Sequence, residues 1–108
     1  QIELPGKDII NITVTKFDSL YVDYLEKAEI DIEGQAVLTT VRRVLTVDKY
    51  NVAGEINRAR GKSIKALIVI KADKKASFGI MKDLMDSMQE NHLERFLIIT
   101  DKEVDAKA

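Results

Sequence analysis

The chain has 108 residues and no cysteine, which fits one domain and excludes disulfides and thiolate zinc sites. Its 17 basic and 18 acidic side chains give a formal net charge of -1. Because the two signs are interspersed, the sequence offers no broad basic field for nucleic acid. No apolar run approaches the roughly 20 residues that a membrane-spanning helix needs.

The first part of the chain combines a lead-in with a strand. Pro5 restricts Leu4 to an extended conformation, and Gly6 follows directly, so residues 1–8 are predicted to be an extended lead-in outside the core. Apolar and polar residues then alternate over Ile9–Thr15. This period of two predicts a half-buried strand, and residues 9–100 are predicted to form the domain.

Residues 16–47 allow two interpretations. The apolar residues from Phe17 to Leu25 fit one face of a helix after Asp18, but Leu20–Val22 also suits a strand that follows a turn. Further along, residues 29–33 alternate strictly and Gly34 follows them. This pattern predicts a hairpin that turns at Gly34, with a helix over residues 36–45 as the alternative.

The second half is more regular. Asp48 can cap a helix that ends at Gly61, the apolar run 66–70 predicts a buried strand, and Ser77 can cap a helix that begins at Phe78 and ends near His92. A second apolar strand covers residues 96–100, and residues 101–108 form a charged tail that we expect to be flexible. The predicted fold is α+β: a two-layer sandwich with a small mixed sheet and two main helices on one face, in the order β-…-α-β-α-β.

Motifs for chemistry are weak. Residues 61–63 resemble the end of a phosphate-binding loop, but Ile56 stands where that loop needs glycine. His92 has no second imidazole for a zinc site. Asp83 and Asp86 are predicted on the polar side of their helix, where paired carboxylates do no acid/base work. We therefore predict no catalytic, cofactor or metal site, and a binding or force-transmitting module rather than an enzyme.

Several segments resemble the ExbD/TolR family of biopolymer-transport proteins. The similarity is carried by an apolar strand that ends in Lys71-Ala72-Asp73, a helix led by Phe78 that contains Met85-Asp86, and the strand 95–100. Leu4-Pro5 is similar to the Leu-Pro that follows the family's single membrane helix. Residues 17–47 are longer than the family's usual short hairpin, and we interpret them as an extra hairpin or an element exchanged in a dimer.

The resemblance implies a location and partners. It implies a single-pass protein of the inner membrane with this domain in the periplasm, and a proton-carrying aspartate in a helix before Gln1. It also implies an ExbB/TolQ-like membrane partner bound through that helix, a TonB/TolA-like partner, a homodimer and contact with peptidoglycan. The alternative is a small cytosolic α+β domain that binds a ligand against its sheet.

Overall fold

A computed structural model describes residues 9–62 and 65–101 of the chain. Five strands and two helices follow one another as β1 (Ile9–Val14), β2 (Leu20–Ile32), β3 (Gln35–Val47), α1 (Val52–Lys62), β4 (Leu67–Asp73), α2 (Phe78–Glu90) and β5 (Phe96–Asp101). The predicted α+β class and element order are confirmed. The predicted lead-in (1–8), which contains Leu4 and Pro5, and residues 102–108 of the predicted tail lie outside the described residues. Asp101, the first residue of the predicted tail (101–108), is instead the last residue of β5.

The strands form one mixed sheet in the order β3-β2-β1-β4-β5. β1 pairs with β2 antiparallel and with β4 parallel, and β5 runs parallel to β4. β1, β4 and β5 therefore begin at the same end of the sheet, here named the leading end, and finish at the opposite, trailing end. β4-α2-β5 is thus the predicted βαβ unit.

Both helices cover one face of the sheet. Ile10, Ile12 and Val14 of β1 point to this face and are at most 1% exposed. They pack with apolar side chains of β2, β4, α1 and α2, among which Val22, Ile70, Ile56 and Leu84 are fully buried. Each such side chain contributes about 1.5–3 kcal/mol through burial, so this layer supplies most of the stability.

Residues 16–47, for which the sequence allows two interpretations, contain a long hairpin. β2 and β3 pair in register from Leu20↔Val47 to Ile32↔Gln35, so the helix alternatives for residues 17–25 and 36–45 are wrong. Glu33 (φ 51°) and Gly34 (φ 84°) form the two-residue turn, and two consecutive positive φ angles are the geometry that matches strand twist. The predicted turn at Gly34 is confirmed.

Most of this hairpin extends beyond the rest of the sheet. β1 pairs with β2 only as far as Asp23, whereas each hairpin strand has 13 residues and is about 44 Å long at the usual rise. Residues 26–41 therefore form a two-stranded ribbon, named here the hairpin arm. It accounts for the longest dimension of the molecule, 49 Å.

Two boundaries differ from expectation. β4 continues through Lys71 to Asp73, beyond the predicted strand over residues 66–70, because Lys71 and Ala72 still pair with β1 and β5. α1 extends through Gly61 to Lys62, so Gly61 does not terminate the helix. A helix interior tolerates glycine at a cost of up to about 1 kcal/mol.

Candidate interaction surfaces

Asp83 and Asp86 of α2 each lie beside a lysine. The Lys82 ammonium donates a 2.8 Å hydrogen bond to Asp86, and the Lys49 ammonium lies 3.8 Å from the Asp83 carboxylate. The hydrogen bond from Lys82 and the charge of Asp86 raise the pKa of Lys82. Within residues 9–62 and 65–101, no group of three or more His, Cys, Asp or Glu side chains is placed to hold a metal ion.

Exposed aromatic side chains gather at the trailing end of the sheet. Phe17 in the β1–β2 turn is 79% exposed, Tyr50 before α1 is 85% exposed, and Phe78 at the start of α2 is 82% exposed. We name these three side chains the aromatic rim. The Lys16 and Lys49 ammonium groups each lie 5.3 Å from the ring centroid of the aromatic residue that follows them, which is within cation–π range.

The backbone under the aromatic rim is held by hydrogen bonds. The Thr15 hydroxyl accepts from the N–H groups of Phe17 and Ser19, at 3.2 and 3.1 Å. Asp18, with φ 64°, accepts a 2.9 Å hydrogen bond from the N–H of Ser77. Because Asp18 lies in the β1–β2 turn and Ser77 precedes α2, this bond joins two of the rim's three connections. The aromatic side chains therefore project from a fixed backbone.

The predicted cap of α2 is also part of this end. The Ser77 hydroxyl accepts a 3.1 Å hydrogen bond from the N–H of Ile80, which confirms Ser77 as the N-cap. The predicted cap at Asp48 has a similar geometry. Its carboxylate accepts from the N–H groups of Tyr50 and Asn51, while the Asn51 side chain accepts from the Asp48 N–H at 2.7 Å. This reciprocal pair starts a turn that continues into α1.

The structure brings some of the family-motif residues together. Lys71, Ala72 and Asp73 end β4, and Phe78 begins α2, so these four lie at the trailing end. Ala72 is buried in the core and Phe78 belongs to the aromatic rim. Asp73 accepts a 2.8 Å hydrogen bond from the N–H of Lys75, which closes the turn between β4 and α2.

The Met85-Asp86 pair lies apart from that group, in the middle of α2. Met85 is half-buried against the core, and Asp86 faces solvent beside Lys82. Met88 is 1% exposed and Met81 also packs on the core, so all three methionines contact the core. The motif is therefore two separate groups, one at the trailing end and one in the middle of α2.

β5 forms an open edge of the sheet with apolar side chains on both faces. Leu97 and Ile99 are 49% and 44% exposed on the face without helices, and Ile98 is 50% exposed on the other. Among residues 9–62 and 65–101, β4 is the one strand that pairs with β5. An edge strand with free backbone groups and apolar side chains is a template for an added strand.

The hairpin arm has two different faces. On the side that continues the helix-covered face, Ile30 and Val37 are cross-strand partners, and both are partly exposed. The opposite side presents Lys27, Glu29 and Asp31 to solvent, together with Leu38, which is 63% exposed. The side with Ile30 and Val37 extends beyond the described pairing with β1, and it is named here the apolar face of the arm.

Sequence reasoning did not identify the aromatic rim. The three-and-four spacing of Phe78 with Met81 and Met85 predicts it on the inner face of its helix, but Phe78 is the first residue of α2 and is 82% exposed, so that prediction is wrong. Phe17 and Tyr50 stand inside turn sequences, beside Asp18 and Asp48. Bulky aromatic residues inside predicted turns were the available signal, because loops run over the surface.

The comparison with curated proteins found no match for the chain. Among the described residues, no helix is both long enough and apolar enough to cross a membrane. A family model described as biopolymer transport protein ExbD/TolR matches residues 1–103, and the match continues through the long hairpin. With the strand, helix and strand of its motif in the expected order, the chain belongs to the ExbD/TolR family of biopolymer-transport proteins.

Proposed function

We propose that this chain is the periplasmic domain of a single-pass inner-membrane subunit, in a complex driven by the proton motive force. The observation that carries the proposal is the family match over residues 1–103, since ExbD/TolR proteins are subunits of transport complexes. In this proposal a helix before Gln1 holds the proton-carrying aspartate and binds an ExbB/TolQ-like partner. The domain itself does no chemistry and relays motion to a TonB/TolA-like partner.

The β5 edge is the proposed contact for the TonB/TolA-like partner. An added strand would satisfy the free backbone groups of β5 and would cover Leu97 and Ile99, which are about half exposed. Main-chain hydrogen bonds supply affinity in such complexes, and alternate side chains supply specificity. Phe17 and the Lys71–Asp73 end of β4 line one surface with Ile99 of β5 at the trailing end, and we propose that they extend this contact.

The edge contact can be tested with matched variants. Leu97→Lys/Ile99→Lys places two charges under the added strand, and we expect partner binding to weaken about tenfold or more because those charges lose water on binding. Val44→Lys is the control, because Val44 is 56% exposed on the same face but at the opposite edge. Equal partner binding by the wild type and by both variants, measured by titration calorimetry, would rule out the β5 edge as the contact.

The proposed location can be tested in the intact protein. The chain has no cysteine, so Gln89→Cys on the exposed end of α2 adds a single thiol to this domain. A membrane-impermeant maleimide should label that thiol in spheroplasts before lysis, and the protein should sediment with the membrane fraction. Labelling only after lysis would place the domain in the cytoplasm and would contradict the proposal.

The hairpin arm is the proposed dimer contact. A two-stranded ribbon is marginally stable in water, yet residues 26–41 keep full register to the turn. A second copy of the chain that covers the apolar face would stabilise the arm. The family resemblance also implies a homodimer. An exchange of arms between two copies fits the 49 Å length of the molecule.

A further inference from the structure

A basic pocket lies at the leading end of the sheet, opposite the aromatic rim. Its volume is about 560 Å³, and its lining includes Arg60, Lys65, His92, Glu94 and Arg95. The end of α1 supplies Arg60, the segment before β4 supplies Lys65, and the loop between α2 and β5 supplies the other three. The volume falls in the range of small-molecule sites.

The charges in the basic pocket are not balanced. Two arginines and a lysine, Arg60, Arg95 and Lys65, line the pocket with one carboxylate, Glu94. In the described part of the chain the ion pairs use other basic residues, and none of these three cations takes part in one. Cations brought together without partners repel one another, so a bound anion would lower the free energy of the folded state.

Helix capping does not explain this cluster. Cations often stand at the carboxyl end of a helix, where they complement the helix dipole, and Arg60 is placed in this way in α1. The last turn of α2 contains no basic residue, however. Lys65 and Arg95 lie outside both helices, just before β4 and β5. Two of the three cations therefore need another explanation.

The position of the pocket indicates the anion. β1 begins at Ile9, which pairs with Leu67 beside the pocket, so residues 1–8 join the domain at the leading end. Eight extended residues span at most about 29 Å. If a membrane helix precedes Gln1, as the proposed function states, this tether turns the leading end toward the bilayer, which is also the end from which the hairpin arm projects. Anionic phospholipids give such a surface a negative potential that attracts Lys and Arg.

We propose that the basic pocket binds the phosphate of an anionic phospholipid headgroup, and that this contact orients the domain on the membrane. Arg60 and Arg95 would donate hydrogen bonds to the phosphate oxygens, because a guanidinium matches phosphate geometry. Leu67 lines the pocket and is 38% exposed, which provides an apolar wall beside the cations. The inference rests on the proposed function for the position of the membrane.

The test uses the 108-residue chain and vesicles of phosphatidylcholine with or without phosphatidylglycerol. We expect co-sedimentation only with phosphatidylglycerol, and loss of binding at high salt. Each basic side chain near an anionic surface contributes roughly fivefold to partitioning, so Arg60→Gln/Arg95→Gln should weaken binding about 25-fold. Lys16→Gln/Lys75→Gln is the control. It removes the same charge at the trailing end and should leave binding unchanged.

Three outcomes would overturn the proposal. The first is that a wild-type chain with a normal circular-dichroism spectrum does not bind phosphatidylglycerol vesicles. The second is that both double variants lose binding equally, which would indicate a diffuse charge effect. The third is that inorganic phosphate raises the melting temperature while vesicles do not bind, which would assign the pocket to a free anion. None of these assays depends on the maleimide labelling, so each proposal can fail alone.

Discussion

His92 should be replaceable by glycine with a gain in stability. It follows the C-cap Asn91 with φ 60°, in the left-handed region that costs a side chain about 1–2 kcal/mol. The His92 N–H donates to Gln89 O at 3.1 Å, and the Leu93 N–H donates to Met88 O at 2.8 Å. These two bonds define a Schellman motif, in which glycine is the preferred residue at this position.

The expected gain in the free energy of unfolding is the difference between two opposing contributions. Glycine removes the left-handed strain, but it makes the unfolded chain more flexible by about 0.5–1 kcal/mol. The net gain for His92→Gly is therefore about 0.5–1 kcal/mol, or roughly 2–6 °C in melting temperature for a domain of this size. The His92 side chain is exposed, so its loss removes little packing.

Urea unfolding of His92→Gly and His92→Ala separates the two terms. Alanine keeps the strain and glycine does not, so we expect glycine to be about 1 kcal/mol more stable than alanine at this position, with the same m-value. Asp18→Gly is a useful contrast. Asp18 also has a positive φ, but its carboxylate accepts from the Ser77 N–H, and that loss should cancel the gain. Equal stability of His92→Gly and His92→Ala would refute the reasoning.

Two further predictions concern the core and the hairpin arm. Ile70→Asp should unfold the domain, because it places an unpaired charge at a fully buried site at a cost of several kcal/mol. Lys82→Ala on the exposed face of α2 should leave the urea midpoint almost unchanged, and similar midpoints for the two would contradict the assigned core. Ile30→Lys/Val37→Lys should shift the chain from dimer to monomer in analytical ultracentrifugation, with Lys27→Ala as the control. If neither Ile30→Lys/Val37→Lys nor Lys27→Ala changes the proportion of dimer, the hairpin arm is not the dimer contact.

The sequence predicts the regular half of this fold well because each segment there has one periodicity. Ile68–Ile70 is too short and too apolar for anything but a buried strand, and the three-and-four spacing of α2 ends at a cap that the structure confirms. The hairpin was harder to predict. The apolar residues of Phe17–Leu25 fit the period of a helix and also that of a strand. Only pairing with a strand that is distant in sequence decides between the two.

The surfaces were less predictable than the core. The half-exposed side chains of β5 have the same apolar sequence as a buried strand, and only the strand order shows that β5 is an edge. The aromatic rim and the basic pocket each combine residues from three separate segments. Their members are scattered along the chain, so nothing in the local sequence indicates that Arg60 and Arg95 line one cavity.

The central place of β1 has a mechanical consequence. A pull on the lead-in acts along the axis of β1, which is hydrogen-bonded to β2 on one side and to β4 on the other. Such a load shears two ladders at once, because their hydrogen bonds lie across the direction of pull. An edge strand pulled in the same direction would load only one ladder. The domain is therefore built to resist tension applied at Ile9 and to transmit it across the whole sheet.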